Sequence, residues 1–135
     1  MALKLRKTVF DLVAEANAEI EAISAEQAIR MRDDPNVVLV DLRDVRELAR
    51  DGRIPGAFHA PRGMLEFWVD PASPYYKEIF GSGKRFVFFC AGGLRSALAT
   101  QQVQRMGLEP VCHIEGGFKA WKEAGGPVEM VAKKA

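Results

Sequence analysis

The segments VVLVDLR at 37–43 and RFVFF at 85–89 each carry four consecutive apolar residues with no polar residue alternating through them. A strand with one wet face alternates, so an unbroken apolar run predicts a strand buried on both sides. Double burial is the habit of parallel sheets covered by helices above and below. Parallel strands need crossovers, which are right-handed, and the stretches between the apolar runs carry helical patterning. The runs therefore predict an α/β three-layer sandwich with a mainly parallel central sheet and helices on both faces.

The remaining elements fit around these strands. Val9, Leu12, Val13, Ala16 and Ile20 recur at spacings of three and four and predict an amphipathic N-terminal helix, packed on the domain or on a second subunit, as in a homodimer formed through this helix. A short strand at Ile23 leads to Ser24, an N-cap with Gln27 three residues on, and a helix over 25–32. Asp44 opens another helix. The segment DGRIPGAFHAP at 51–61 reads as turns with a brief strand at 58–60, and GMLEFW and PYYKEIF as two short helical pieces. A helix over 94–106 places Ala99, Val103 and Met106 on one side, with Gly107 as its C-cap. PVCHI is the last strand. GGFKAWKEAGGP is the last helix, turned in by Gly116 and Gly117 and anchored by Phe118 and Trp121. The organisation is a helical extension over 1–21, one domain over 22–130 and a tail over 131–135.

The 135 residues suffice for one core. Nineteen basic and eighteen acidic residues leave a net charge of +1, which argues against nucleic acid as a partner. Two cysteines, Cys90 and Cys112, form neither a disulfide scaffold nor a zinc spacing, which fits a reducing cytoplasm. Asp11, Glu15, Glu19 and Glu21 interrupt the apolar region that an export signal needs, and no run reaches the length of a membrane span. The expectation is a cytoplasmic chain with no membrane partner.

Chemistry concentrates after the second apolar strand, in FVFFCAGGLRSALA at 86–99. Cys90 ends the strand, at the sheet edge where ligands of parallel sheets bind. Ala91, Gly92, Gly93 and Leu94 are small or flexible enough to curl so that backbone N–H groups face the sulfur, and Arg95 and Ser96 begin the next helix. Such a nest at a helix N-terminus favours the thiolate, the nucleophilic form. The other reading of these residues is a buried structural cysteine followed by a glycine turn.

The stretch Cys90-Ala91-Gly92-Gly93-Leu94-Arg95-Ser96 resembles the active-site loop of the rhodanese family of single-domain sulfurtransferases: cysteine, four residues, arginine, then serine or threonine. Two further stretches are similar to family signatures, DLRDVRELARDGRIPGAFHAP at 41–61 and EGGFKAW at 115–121. Arg53 departs from the histidine often found before Ile-Pro-Gly. The resemblance covers about residues 22–127. It implies that Cys90 attacks the sulfane sulfur of thiosulfate or a persulfide, a small-molecule donor. The resulting enzyme persulfide then passes its sulfur to cyanide or a thiol acceptor, including a protein thiol. The loop amides of Ala91 to Ser96 would cradle the charge. Neither a metal nor an organic cofactor is implied.

Two other readings are open at this point. One is a phosphatase or arsenate reductase of the related cysteine-loop type, which places five residues between cysteine and arginine where this chain has four. The other is a non-catalytic protein-binding module. Among supporting residues, Asp41 and Arg43 end a strand close to that of Cys90 and are expected either to hold the loop by hydrogen bonds or to pair with Glu47 or Arg46. Met64, Phe67 and Trp68 are expected at the pocket mouth or in plain core, with Arg62 as a nearby cation. The loop interior offers no lysine or arginine, so a persulfide donor should outperform dianionic thiosulfate. His59 and His113 read as structural, because transfer between thiolates needs no proton shuttle. Cys112 reads as a strand side chain or, less simply, as a resolving partner for Cys90.

Overall fold

A computed structural model describes residues 3–131 of the chain, so most of the expected tail over 131–135 lies outside the described residues. In chain order the elements are α1 (Val9–Glu19), β1 (Glu21–Ile23), α2 (Ala25–Met31), β2 (Val37–Asp41), α3 (Val45–Asp51), β3 (Phe58–His59), α4 (Leu65–Val69), β4 (Arg85–Phe89), α5 (Leu94–Met106), β5 (Val111–Ile114) and α6 (Gly117–Glu123). The five strands form one sheet in the order β1-β5-β4-β2-β3, and every pairing is parallel.

The two apolar runs are the inner strands. On β4, Val87 and Phe89 point into a core shared with Ala25 and Ala28 of α2 and Phe118 and Trp121 of α6. Phe86 and Phe88 point the other way, against Leu65 and Val69 of α4 and Ala99 and Val103 of α5. This two-sided burial is what the absence of alternation predicted. At about 1.5–3 kcal/mol per large apolar side chain, it makes β4 the best-anchored strand.

Local signals set the element ends. Ser24 and Gln27 form a reciprocal capping box, with Gln27 N–H donating to Ser24 Oγ at 3.1 Å and Ser24 N–H to Gln27 Oε1 at 2.9 Å. Gly107 ends α5 in a left-handed conformation (φ 103°). Strand β2 stops at Asp41, two residues before the expected end, because Asp41 Oδ1 accepts the Arg43 N–H at 3.0 Å and turns the chain.

One expectation is corrected and two are refined. PYYKEIF is no helix but turns followed by a 3₁₀ turn at Glu78–Gly81. Pro71 and Pro74 lack N–H donors, and the Asp70 and Ser73 side chains accept the N–H groups of Ala72 and Tyr75. Met106 is 43% exposed, and Leu108, just after the helix, packs against that core instead. In α1, only Val13 and Ala16 are buried, against Ala97 of α5, so the helix sits on this same domain. Glu19 fastens its end, with its carboxylate accepting from Gln101 and its carbonyl from Gln104. Val9, Phe10 and Leu12 remain exposed on its outer side.

Candidate active site

Cys90 follows β4 at the carboxyl edge of the sheet, between the ends of β2 and β5. Its Sγ accepts the N–H groups of Gly93 at 3.2 Å and Ser96 at 3.4 Å. Two of the expected inward amides therefore meet the sulfur, at the start of a 13-residue helix whose dipole adds positive potential there. Gly93 reaches this position with φ 103°, whereas Gly92 has open space where a Cβ would stand. Leu94 and Ala91 face outward.

The base of the loop is fixed by α6. Phe118 N–H donates to Cys90 O at 2.8 Å, and Lys119 N–H to Ala91 O at 3.1 Å. This approach is possible because residue 117 is glycine. It has φ 59°, and a Cβ there would lie 2.4 Å from Cys90 O. The pair of glycines expected to make a tight turn thus also lets one backbone touch another.

Arg95, the arginine of the loop, points back to α3, where Glu47 accepts both its Nη atoms at 2.7 and 2.9 Å. The bidentate guanidinium holds the Glu47 carboxyl at about 2, well below its usual 4.5. The same pair raises Arg95, with a smaller contribution from the Cys90 sulfur.

Asp41 and Arg43 do not hydrogen-bond the loop, which corrects that expectation. Arg43 donates to both Asp41 carboxylate oxygens and to Gly52 O at 2.9 Å, and its guanidinium lies 4.0 Å above the Phe118 ring. Both side chains are almost fully buried, a depth at which each charge needs the other. Their support of Cys90 is indirect: they seat Phe118, whose N–H holds the Cys90 carbonyl.

The aromatic set goes elsewhere. Trp68 packs edge-on to Phe58 under the Lys77 ammonium, Phe67 is exposed against Tyr75, and Arg62 pairs with Glu66. A cleft of about 340 Å³ opens beside the loop, and neither these residues nor Met64 line it. Its walls are Val13 and Asn17 of α1, Ala22 of β1, Gly92 to Leu94 of the loop, and His113, Glu115 and Gly116 after and within β5.

His113, expected to be structural, places its Nδ1 2.9 Å from Ser96 Oγ, which in turn is 3.6 Å from Cys90 Sγ. Burial pushes its imidazole below the usual value, so it is neutral at pH 7. Cys112 belongs to the core on the other face of the sheet, with α2 and α6, which excludes a disulfide with Cys90. Burial also raises its thiol.

The model of the rhodanese-like domain matches residues 24–124. The chain belongs to the rhodanese-like family. The solved structure of a Rhodopseudomonas palustris protein of unknown function, described as a possible tyrosine phosphatase, shares 54% identity. It superimposes with a TM-score of 0.92 over 96% of this chain and 99% of that one. The thiosulfate sulfurtransferase of Pseudomonas aeruginosa shares 26% identity and a TM-score of 0.68, over 83% of this chain and 20% of that one. Among curated relatives, the tRNA uridine(34) hydroxylase of Cronobacter sakazakii is 30% identical over 117 residues, 84% of this chain. The chain spans between a third and a half of the length of the first curated relatives it matches. Enzymes of more than one kind thus share this domain, which by itself does not fix the reaction.

Proposed function

We propose that the protein is a sulfurtransferase working through a persulfide on Cys90. The observation that carries this reading is the pair of N–H groups, of Gly93 and Ser96, aimed at the Cys90 sulfur within a loop of four intervening residues. The Cys90 thiolate attacks the sulfane sulfur of thiosulfate, the sulfur–sulfur bond of the donor breaks, and sulfite leaves. A persulfide donor reacts likewise and leaves a thiolate. The enzyme persulfide then gives its outer sulfur to cyanide, forming thiocyanate, or to a thiol, and Cys90 returns as thiolate. The amides stabilise negative charge on sulfur throughout, as an oxyanion hole does on oxygen.

The loop favours sulfur over phosphoryl transfer. A transferring phosphoryl group spreads charge over three equatorial oxygens that need matched donors. Arg95, the cation best placed to supply them, is committed to Glu47. The same commitment weakens the pull on dianionic thiosulfate, so a persulfide donor reacts faster. Cys90 is only 1% exposed. A donor therefore approaches over Ala91 and Gly92, the exposed part of the loop.

Intact-protein mass spectrometry after incubation with thiosulfate or a low-molecular-weight persulfide tests the reading. Wild type gains one sulfur atom, more completely from the persulfide, and Cys90→Ser gains none. Hydrolysis of an aryl phosphate without sulfur uptake makes the protein a phosphatase instead, and absence of both reactions makes it a binding module.

A further inference from the structure

Ser96 stands between two titratable groups, Cys90 and His113, and all three are buried. A serine hydroxyl owns one proton and donates to one neighbour at a time. If His113 Nδ1 is unprotonated, one order of donors is consistent. The thiol S–H donates to Ser96 Oγ, the hydroxyl donates to Nδ1, and the ring carries its proton on Nε2. If Nδ1 is protonated, the order inverts. Nδ1–H donates to Oγ, the hydroxyl donates to sulfur, and the sulfur carries no proton. The two arrangements differ by a single proton, and they are the thiol and the thiolate.

The ring also borders the cleft lined by Val13, Asn17, Gly92, Gly93 and Glu115, so a proton can leave it to water. The charged groups about this chain are Glu115 at the cleft and, beyond the sulfur, Arg95 paired to Glu47. A neutral imidazole has both tautomers available to it.

We propose that Ser96 and His113 form a proton relay that discharges the Cys90 thiol into the cleft and leaves the thiolate with a third hydrogen-bond donor. The sulfur proton passes to Ser96 Oγ as the hydroxyl proton passes to Nδ1. The imidazolium then releases its Nε2 proton to water. One proton leaves the protein, no bond between heavy atoms changes and nothing is oxidised. Reprotonation of Cys90 runs the same path backwards. Ser96 touches the reacting sulfur, whereas His113 acts through Ser96 and is a positioning residue. The relay rests on Cys90 as the nucleophile proposed above, but its signature needs no sulfur donor.

The test is the ¹⁵N spectrum of the His113 ring in full-length wild type, recorded as pH rises through the ionisation of Cys90, itself followed by the rate of alkylation with iodoacetamide. The ring passes from the Nε2–H to the Nδ1–H tautomer as the thiolate forms, and in Cys90→Ser it keeps Nε2–H throughout. Ser96→Ala slows alkylation at neutral pH about tenfold, as expected for loss of one charge-assisted donor, and Ser96→Thr restores it. A ring that holds one tautomer across the wild-type titration overturns the relay, as does a Ser96→Ala protein alkylated at the wild-type rate. Sulfur uptake with an unchanged ring defeats the relay alone. A tautomer switch without sulfur uptake defeats the transferase reading and leaves the relay standing.

Discussion

The two cysteines lie on or just beyond adjacent strands and are equally buried, yet they differ in the backbone donors that meet the sulfur. Cys90 is 1% exposed and Cys112 is 0% exposed, so burial does not separate them. Neither does a neighbouring arginine. Arg95 stands near Cys90 and pairs with Glu47, while Arg85 Nη2 lies 3.9 Å from Cys112 Sγ and pairs with Glu21. What separates them is position along the strand. Cys112 lies within β5, opposite Val87, where the backbone N–H groups are consumed by the ladder. Cys90 lies one residue past β4, where the chain curls and its next amides have no strand to bond. The end of the sheet, not accessibility, is what gives the proposed nucleophile its backbone donors.

The strongest way to break this contrast is to exchange serine for each sulfur. Cys90→Ser abolishes sulfur uptake and rapid alkylation, whereas Cys112→Ser keeps both within about twofold, at a stability cost of about 1–3 kcal/mol for a hydroxyl placed in apolar core. A Cys112→Ser protein that folds but takes up no sulfur refutes the contrast.

The next largest effect lies under the loop. Gly117→Ala places a Cβ against Cys90 O at a left-handed residue and costs about 2–4 kcal/mol in urea unfolding. Gly92→Ala, within the loop but facing open space, stays within about 0.5 kcal/mol. Equal effects at the two glycines would mean that the loop is not held by its close approach to α6.

The smallest effect concerns the arginines. The Glu47 carboxyl sits at about 2 against a usual 4.5. The stability from its pair is therefore fully present above pH 4.5 and fades as pH falls toward 2. Because Arg95 is partly exposed, Glu47→Gln costs only about 0.5–1 kcal/mol at pH 7, and chemical denaturation curves of variant and wild type converge in acid. The same variant frees a guanidinium beside Cys90 and raises the rate with thiosulfate relative to a persulfide. Glu21→Gln, next to the other arginine, changes neither.

Much of this arrangement was legible because it is local. The unbroken apolar runs gave a parallel sheet, the serine and glutamine of a capping box gave the start of α2, and Cys90 to Ser96 gave the loop within seven consecutive residues. What escaped is made of contacts between distant parts of the chain. Glu47 and Arg95 are 48 residues apart, and Ser96 and His113 are 17 apart on different elements. No spacing rule joins them. Met64, Phe67 and Trp68 show how periodicity misleads: their spacing marks a helical face without saying which neighbour that face meets. The capping of Asp70 and Ser73 in the following turn competes with helix in the same way. Asp41 and Arg43 were expected to hold the loop or to pair with Glu47 or Arg46; they pair with each other beside the ring of Phe118, a contact that charge patterning does not foresee.

Val13 and Asn17, which wall the cleft, stand on α1, upstream of the stretch common to rhodanese-like proteins at 24–124. A fragment cut to that stretch keeps Cys90 and its loop but loses one wall of the cleft that His113 borders, so the solvent that a proton would leave into there is bounded by a helix outside the shared domain.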